Sequence, residues 1–284
     1  MKFNWEIFFT IILFLIIIGI FSFVLFYFRK EGSNNTPNVA SISDLKSHLI
    51  LPNSEEKINI KYFYAPILLY HHIANSKNPN SYYVSPEIFE KQMRWLKENG
   101  YHVISFDKLY EAITNKGTLP EKPVIISFDD SLLDQYKNAY PVLQKYNYSA
   151  TFFVKLNNIS NAALSWDKIK EMSDDGMIIG SHSVNHDNMT SMDEVTMNYE
   201  LLQSKKEIEK HTGKQVKYFS YSGGAYSAET IAAVKKAGYL AAVCTKHKVY
   251  QEIINDNSIY TLPRIHIDNE MPTFIDWVQG KNLK

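Results

Sequence analysis

The stretch VIISFDDSLLDQY, residues 124–136, decides the architecture. Its opening run, VIISF, carries no charge and favours β-structure. Two adjacent acids follow, Asp129 and Asp130, and then a segment of helical character. An apolar strand that surfaces into polar residues and returns as a helix is a βα unit. The acid pair has two readings at this point. It is an ordinary strand-to-helix turn with a capping Asp, or it is half of a reactive site.

The same alternation runs outward in both directions. APILLYHHI reads as a strand, and PEIFEKQMRWLKENG as a helix with Pro86 near its start and Gly100 at its end. YHVIS, KPVIISF, SATFFVK, MIIGSH, VKYFSYSG, YLAAVCT and IYTLPRIHI read as further strands. The segments between and after them read as helices, including a long one over MDEVTMNYELLQSKKEIEKHTG stopped by Gly213 and one over LLDQYKNAYPVLQKYN with Pro141 inside it. About seven βα units with mostly apolar strands predict a parallel sheet covered by helices. The fold class is α/β: a (β/α) barrel distorted to about seven strands, with an open doubly wound sheet as the alternative. In either, reactive groups belong at the carboxyl ends of the strands.

Lys+Arg and Asp+Glu each number 30, so the formal net charge is zero. A dedicated nucleic-acid binder needs a basic excess, so nucleic acid is not an expected partner. No phosphate-binding glycine motif is present, and YSGGAY is too short for one, so no organic cofactor is expected. The 19 tyrosines and 16 phenylalanines suit either an aromatic core or a surface that stacks on sugar rings. The single cysteine, Cys244, excludes an internal disulfide and a cysteine-based metal cluster. In LAAVCT it reads as a small core residue. Any metal must be held by His, Asp or Glu.

Residues 7–28, IFFTIILFLIIIGIFSFVLFYF, carry no charge. A helix of that length spans a hydrocarbon core of about 30 Å. The run ends in bulky aromatics without a small-x-small cleavage site, so it reads as an uncleaved signal anchor with the lipid bilayer as partner. Residues 1–6 form a short tail, 29–61 a polar linker, and 62–284 the folded domain. Lys2 on one flank and Arg29 and Lys30 on the other leave the orientation open.

Polar residues with chemical potential fall at strand ends. Asp129 and Asp130 follow VIISF, His182 and His186 follow MIIGS, and the Gly223–Gly224 turn follows KYFSY. Arg264 and His266 lie in the last strand, and His71 and His72 follow the first. Two imidazoles four residues apart can share one face of a helical turn and bind one metal ion. A carboxylate completes the set, and Asp130 is the candidate. Asp129 projects differently and is left as a base beside the metal. Such an ion lowers the pKa of bound water towards about 7 and polarises a carbonyl. Alternation lets only one of His71 and His72 face the site, and His72 is the residue expected there.

SFDD, HSVNH and FSYSGGAY, in that order, resemble the motifs of the polysaccharide deacetylases, carbohydrate esterase family 4, also called the NodB homology domain. YHHI, YPVLQKYNYSATFFV and LPRIHI extend the likeness to the poly-β-1,6-N-acetylglucosamine deacetylase branch, over roughly residues 63–284. The resemblance implies a (β/α) barrel-like fold and hydrolysis of N-acetyl groups on N-acetylglucosamine residues. It implies Asp129 as catalytic base and Asp130, His182 and His186 as ligands of a divalent metal, Zn2+ above Co2+, Ni2+ or Mn2+. It implies the 223–224 turn as oxyanion donor through a backbone N–H. Some positions depart from the family pattern. Ser131 replaces a Gly, Ser222 a Pro, and Ser220 the Arg that steadies the base. PRIHI stands for the family's Leu-x-His. His266 is then either the general acid or a structural strand residue, with Arg264 orienting the site or binding sugar.

The expected activity is a metal-dependent N-deacetylase on an acetylated extracellular or cell-wall polysaccharide. That substrate lies outside the membrane, so a single-pass protein with residues 1–6 cytoplasmic and its catalytic domain extracellular is expected. An O-acetyl esterase of the xylan type and a catalytically silent glycan-binding protein are the alternatives.

Overall fold

The computed structural model describes residues 61–77, 82–160, 163–253 and 255–281. The expected tail 1–6, anchor 7–28 and almost all of the linker lie outside the described residues. Among the described residues no helix is long and apolar enough to cross a membrane. The linker was expected to run through residue 61, but Lys61 already belongs to a strand.

Twelve strands are described: β1 (Lys61–Tyr64), β2 (Ile67–Tyr70), β3 (His72–Ile73), β4 (Tyr83–Val84), β5 (His102–Val103), β6 (Pro123–Phe128), β7 (Thr151–Val154), β8 (Ile178–Ser181), β9 (Tyr218–Ser220), β10 (Ala241–Val243), β11 (Tyr250–Ile253) and β12 (Ile265–His266). Seven α-helices join them: α1 (Pro86–Glu98), α2 (Phe106–Ile113), α3 (Tyr140–Tyr146), α4 (Trp166–Asp174), α5 (Glu194–Thr212), α6 (Ala228–Lys236) and α7 (Met271–Val278). The central sheet is parallel, in the order β10-β9-β8-β7-β6-β2-β12, with β5 added against the start of β6. The chain just before β12 pairs with β10 through Leu262 and Val243, while β12 itself pairs with β2. One short segment therefore spans the two edges of the seven-stranded sheet. This is the distorted (β/α) arrangement expected from the repeating units. The antiparallel pair β1–β11 was not expected.

Side chains alternate across this sheet. Ile67, Ile125, Phe153, Tyr218 and Ala241 gather in one inward cluster with Phe106 and Leu109 of α2. Phe106 lies against Tyr218 and Phe153, with ring centroids 5.1 and 6.1 Å away. It stoppers the amino end of the strands. The other parity, including Leu68, Ile126, Phe128 and Phe152, packs beneath the surrounding helices. Gly180 of β8 is fixed by the inner cluster: a Cβ there would stand 2.5 Å from the Phe153 ring. Cys244 is a buried core residue, as expected.

The inward parity carries the chemistry. Counting by twos from Ile125 reaches Ser127 and then Asp129. From Ile67 it reaches Leu69 and His71, from Tyr218 it reaches Ser220, and from Gly180 it reaches His182. The strands deliver these residues to the carboxyl mouth on a shared inner face.

Candidate active site

Asp129 is 2% exposed and its carboxylate is fully engaged. Arg264 grips it with both terminal nitrogens, Nη1 to Oδ1 at 2.8 Å and Nη2 to Oδ2 at 2.6 Å. Ser220 Oγ donates to Oδ2 at 3.0 Å and accepts from Arg264 Nη2 at 2.8 Å. Burial alone would raise the Asp129 carboxyl. The Arg264 guanidinium, with His182 and His71, outweighs it and holds the group well below the usual carboxylate range. Arg264 is wholly buried, with its guanidinium 5.4 Å from the Phe153 ring centroid. It orients the site; sugar binding, the other role open to it, is corrected by that burial. The Arg missing before the glycine turn is supplied from the segment just before β12, and Ser220 Oγ bonds to both Arg264 and Asp129.

Asp130 follows with a left-handed backbone, φ 77°. That turn sends its carboxylate away from Arg264 and towards His182 and His186. Asp130 Oδ1 lies 3.8 Å from His182 Nε2 and 3.7 Å from His186 Nε2. One donor atom from each of the three falls within 4.8 Å of the others. Asp130 Oδ1 is buried with no hydrogen-bond partner. His182 Nδ1 donates to Ser220 O at 2.8 Å, which leaves Nε2 as a lone pair aimed at the cluster. Two imidazole nitrogens and one carboxylate oxygen suit a divalent cation with open positions. The donor set fits the ion that the sequence implies. The helical turn expected to join the histidines is not there. Ser183 and His186 both take left-handed φ, 65° and 69°, and the HSVNH loop folds back on itself.

His71, not His72, faces this mouth. His72 was expected to line the substrate site. Instead its Nδ1 meets Asp134 Oδ2 at 2.7 Å and its ring stacks on Tyr83 at 4.3 Å. The reason is parity: His71 continues the inward row of Ile67 and Leu69, and His72 points the other way. The signal was available in the alternation of APILLYHH. The His71 and His266 rings are stacked at 5.2 Å, and His266 lies 5.6 Å from His247. Nδ1 of both His71 and His266 is buried without a hydrogen-bond partner. Burial lowers the His71 pKa against the pull of Asp129 and Asp130. Burial, helped by His71 and Arg264, takes His266 down to about 4.

Gln135 is a further residue that the sequence did not reveal. It is buried at the start of a π-helical turn, Gln135–Ala139, that runs into α3. Pro141, expected inside one continuous helix, sits in the first turn of α3 instead. Gln135 Nε2 donates to Asp129 O at 2.5 Å and to His71 O at 2.9 Å. It ties the strand end bearing Asp129 to the one bearing His71.

The glycine turn borders the histidine loop through Ser222 Oγ and Ser183 Oγ, 3.4 Å apart. Gly223 and Gly224 have φ of 61° and 72°. Gly224 has no room for a Cβ, which would fall 2.1 Å from Thr245 Oγ1. Its N–H is committed to Tyr221 O at 2.8 Å. Of the two expected donors, Gly223 is the one whose N–H takes no part in the turn's hydrogen bonds among the described residues.

A family model described as polysaccharide deacetylase matches residues 116–242. A putative polysaccharide deacetylase of Bacillus subtilis, YxkH, is 33% identical over 207 residues, 72% of each chain. The chain belongs to the polysaccharide deacetylase family. A poly-β-1,6-N-acetyl-D-glucosamine N-deacetylase of Staphylococcus aureus is 27% identical over 263 residues, covering 82% of this deacetylase chain and 89% of its own. The Streptococcus pyogenes deacetylase PplD, solved with acetate, superposes with a TM-score of 0.69 at 29% identity. It covers 76% of this chain and 97% of its own. The family's hydrolases are metal-dependent, and the Asp130–His182–His186 cluster is where this member could hold the ion.

Proposed function

We propose that this deacetylase removes N-acetyl groups from N-acetylglucosamine residues of a polysaccharide, using Asp129 as base beside a divalent cation on Asp130, His182 and His186. The observation that carries the reading is the division of the acid pair. Asp129 is locked by Arg264 and Ser220, and Asp130 Oδ1 is buried and unpartnered beside two imidazoles. The S. aureus relative, named as acting on poly-β-1,6-N-acetyl-D-glucosamine, supports the choice of polymer class.

A cation held by the triad acidifies water and polarises an acyl oxygen. Asp129, kept ionised by Arg264, takes the proton of the water that adds to the acetamide carbon. The Gly223 N–H offers a fixed donor to the oxygen that gains charge. The C–N bond then breaks, the amine takes a proton, and acetate departs. His71 is the proposed proton donor, in place of His266. It continues the inward row of Ile67 and Leu69 to the mouth, and His266 stacks on it.

The reading includes a membrane-tethered protein. The uncharged run 7–28 supports an anchor, and a polymer outside the cell calls for an external catalytic domain. Acetate release by the full-length chain in detergent, with added Zn2+ or Co2+, tests the activity. Release from β-1,6-linked N-acetylglucosamine oligomers is expected. Release from O-acetylated xylan alone would make the protein an esterase instead.

A further inference from the structure

The loop between the two histidine ligands is held by a carboxylate that touches neither of them. Glu200 lies in the second turn of α5 and is 0% exposed. Its Oε2 accepts from Val184 N at 2.8 Å and Asn185 N at 2.9 Å, and its Oε1 accepts from Asn185 Nδ2 at 2.6 Å. All three donors belong to HSVNH, between His182 and His186. A carboxylate offers two acceptor oxygens and no donor, so it matches a loop that turns only N–H groups towards the helix.

Asn185 passes the tie onward. Its Oδ1 accepts from Asn157 Nδ2 at 2.5 Å, and Asn157 N donates to Val184 O at 3.1 Å. The neighbouring Asn158 donates from Nδ2 to Asp130 O at 2.6 Å. One polar network, Glu200–Asn185–Asn157, thus reaches the turn that also steadies the third ligand. Ser183 and His186 on either side are left-handed, a conformation L residues avoid unless their surroundings enforce it.

We infer that Glu200 is a positioning residue for the metal site: by holding the HSVNH loop, it sets the affinity of Asp130, His182 and His186 for a divalent cation. This deepens the proposed reading of those residues and rests on it. Groups that orient metal ligands from behind typically change affinity 10- to 100-fold when altered. In Glu200→Gln, an amide NH2 replaces one acceptor and meets N–H groups that can only donate.

The test is Zn2+ titration of the full-length chain in detergent against a chromophoric chelator, with apo-protein thermal melts alongside. Glu200→Gln is expected to raise the Zn2+ Kd about 10- to 100-fold. Asn185→Ala, which removes the Oε1 bond and the contact to Asn157 but keeps both backbone bonds to Oε2, should raise it less, and the double variant little beyond Glu200→Gln. A folded Glu200→Gln with a Kd within about twofold of the parent would overturn the inference. So would an equal loss in Leu201→Ala, a core change on the same helix matched for melting temperature. If Glu200→Gln does not fold, Asn185→Ala decides alone: weaker binding supports the inference, and parental binding overturns it. If the parent itself binds no Zn2+, the metal reading fails rather than this one.

Discussion

The two walls of the mouth are built in opposite ways. On one wall every oxygen of Asp129 has a partner, and Arg264, Ser220 and Gln135 close the network. On the other, His71 and His266 stack with their Nδ1 atoms buried and unpartnered. A satisfied buried network fixes one geometry, while an unsatisfied buried nitrogen has a hydrogen bond still to make. Asp129, the proposed base, is therefore held in one geometry by its own neighbours. The imidazole wall keeps two buried nitrogens without a hydrogen bond.

Breaking the satisfied wall should have the larger effect. Arg264→Met would leave the buried Asp129 carboxylate unpaired, which costs about 3–5 kcal/mol of stability. Chemical denaturation should show that loss, and acetate release should be abolished even where the protein is still folded. A stable, active Arg264→Met would mean that Asp129 needs no such partner.

On the imidazole wall, His71→Gln should lower kcat about 10²- to 10⁴-fold with little change in KM, as expected for loss of a proton donor. His266→Gln should cost less. The opposite ranking would return the donor role to His266, as the sequence suggested.

The smallest effect is on pH stability. Folded His266 titrates near 4, against about 6.5 in an unfolded chain. Between those values the unfolded state binds the extra proton, so stability falls as pH drops from about 6.5 to about 4 and levels off below. Thermal melts of His266→Gln should show a shallower fall over that window. An unchanged slope would mean that His266 does not titrate as a buried group.

Much of the site was legible because strand parity and strand-end position are sequence properties. Asp129, Asp130, His182 and His186 come together as their places after apolar strands implied. The failures have physical causes. HxxxH spacing matches a helical turn, but two left-handed residues bring the rings together in a loop, and nothing in Ser183 or His186 announces that backbone. Counting by twos from Ile67 leads to His71, and His72 falls on the opposite parity. Arg264 fell in the last strand, 135 residues after Asp129 in sequence, and only closure of the sheet brings the two together. Glu200 and Gln135 act through neighbours' backbone groups, and such contacts leave no spacing pattern to read. The β1–β11 pair joins segments from opposite ends of the domain, so no local hairpin signal marks it.

In the proposed mechanism the adjacent aspartates divide the work. The most direct measurement pairs Zn2+ binding with acetate release in Asp129→Asn and Asp130→Asn of the full-length chain. Asp129→Asn is expected to bind Zn2+ with near-parental affinity yet release no acetate, and Asp130→Asn to lose both. Zn2+ binding lost in Asp129→Asn but kept in Asp130→Asn would contradict it.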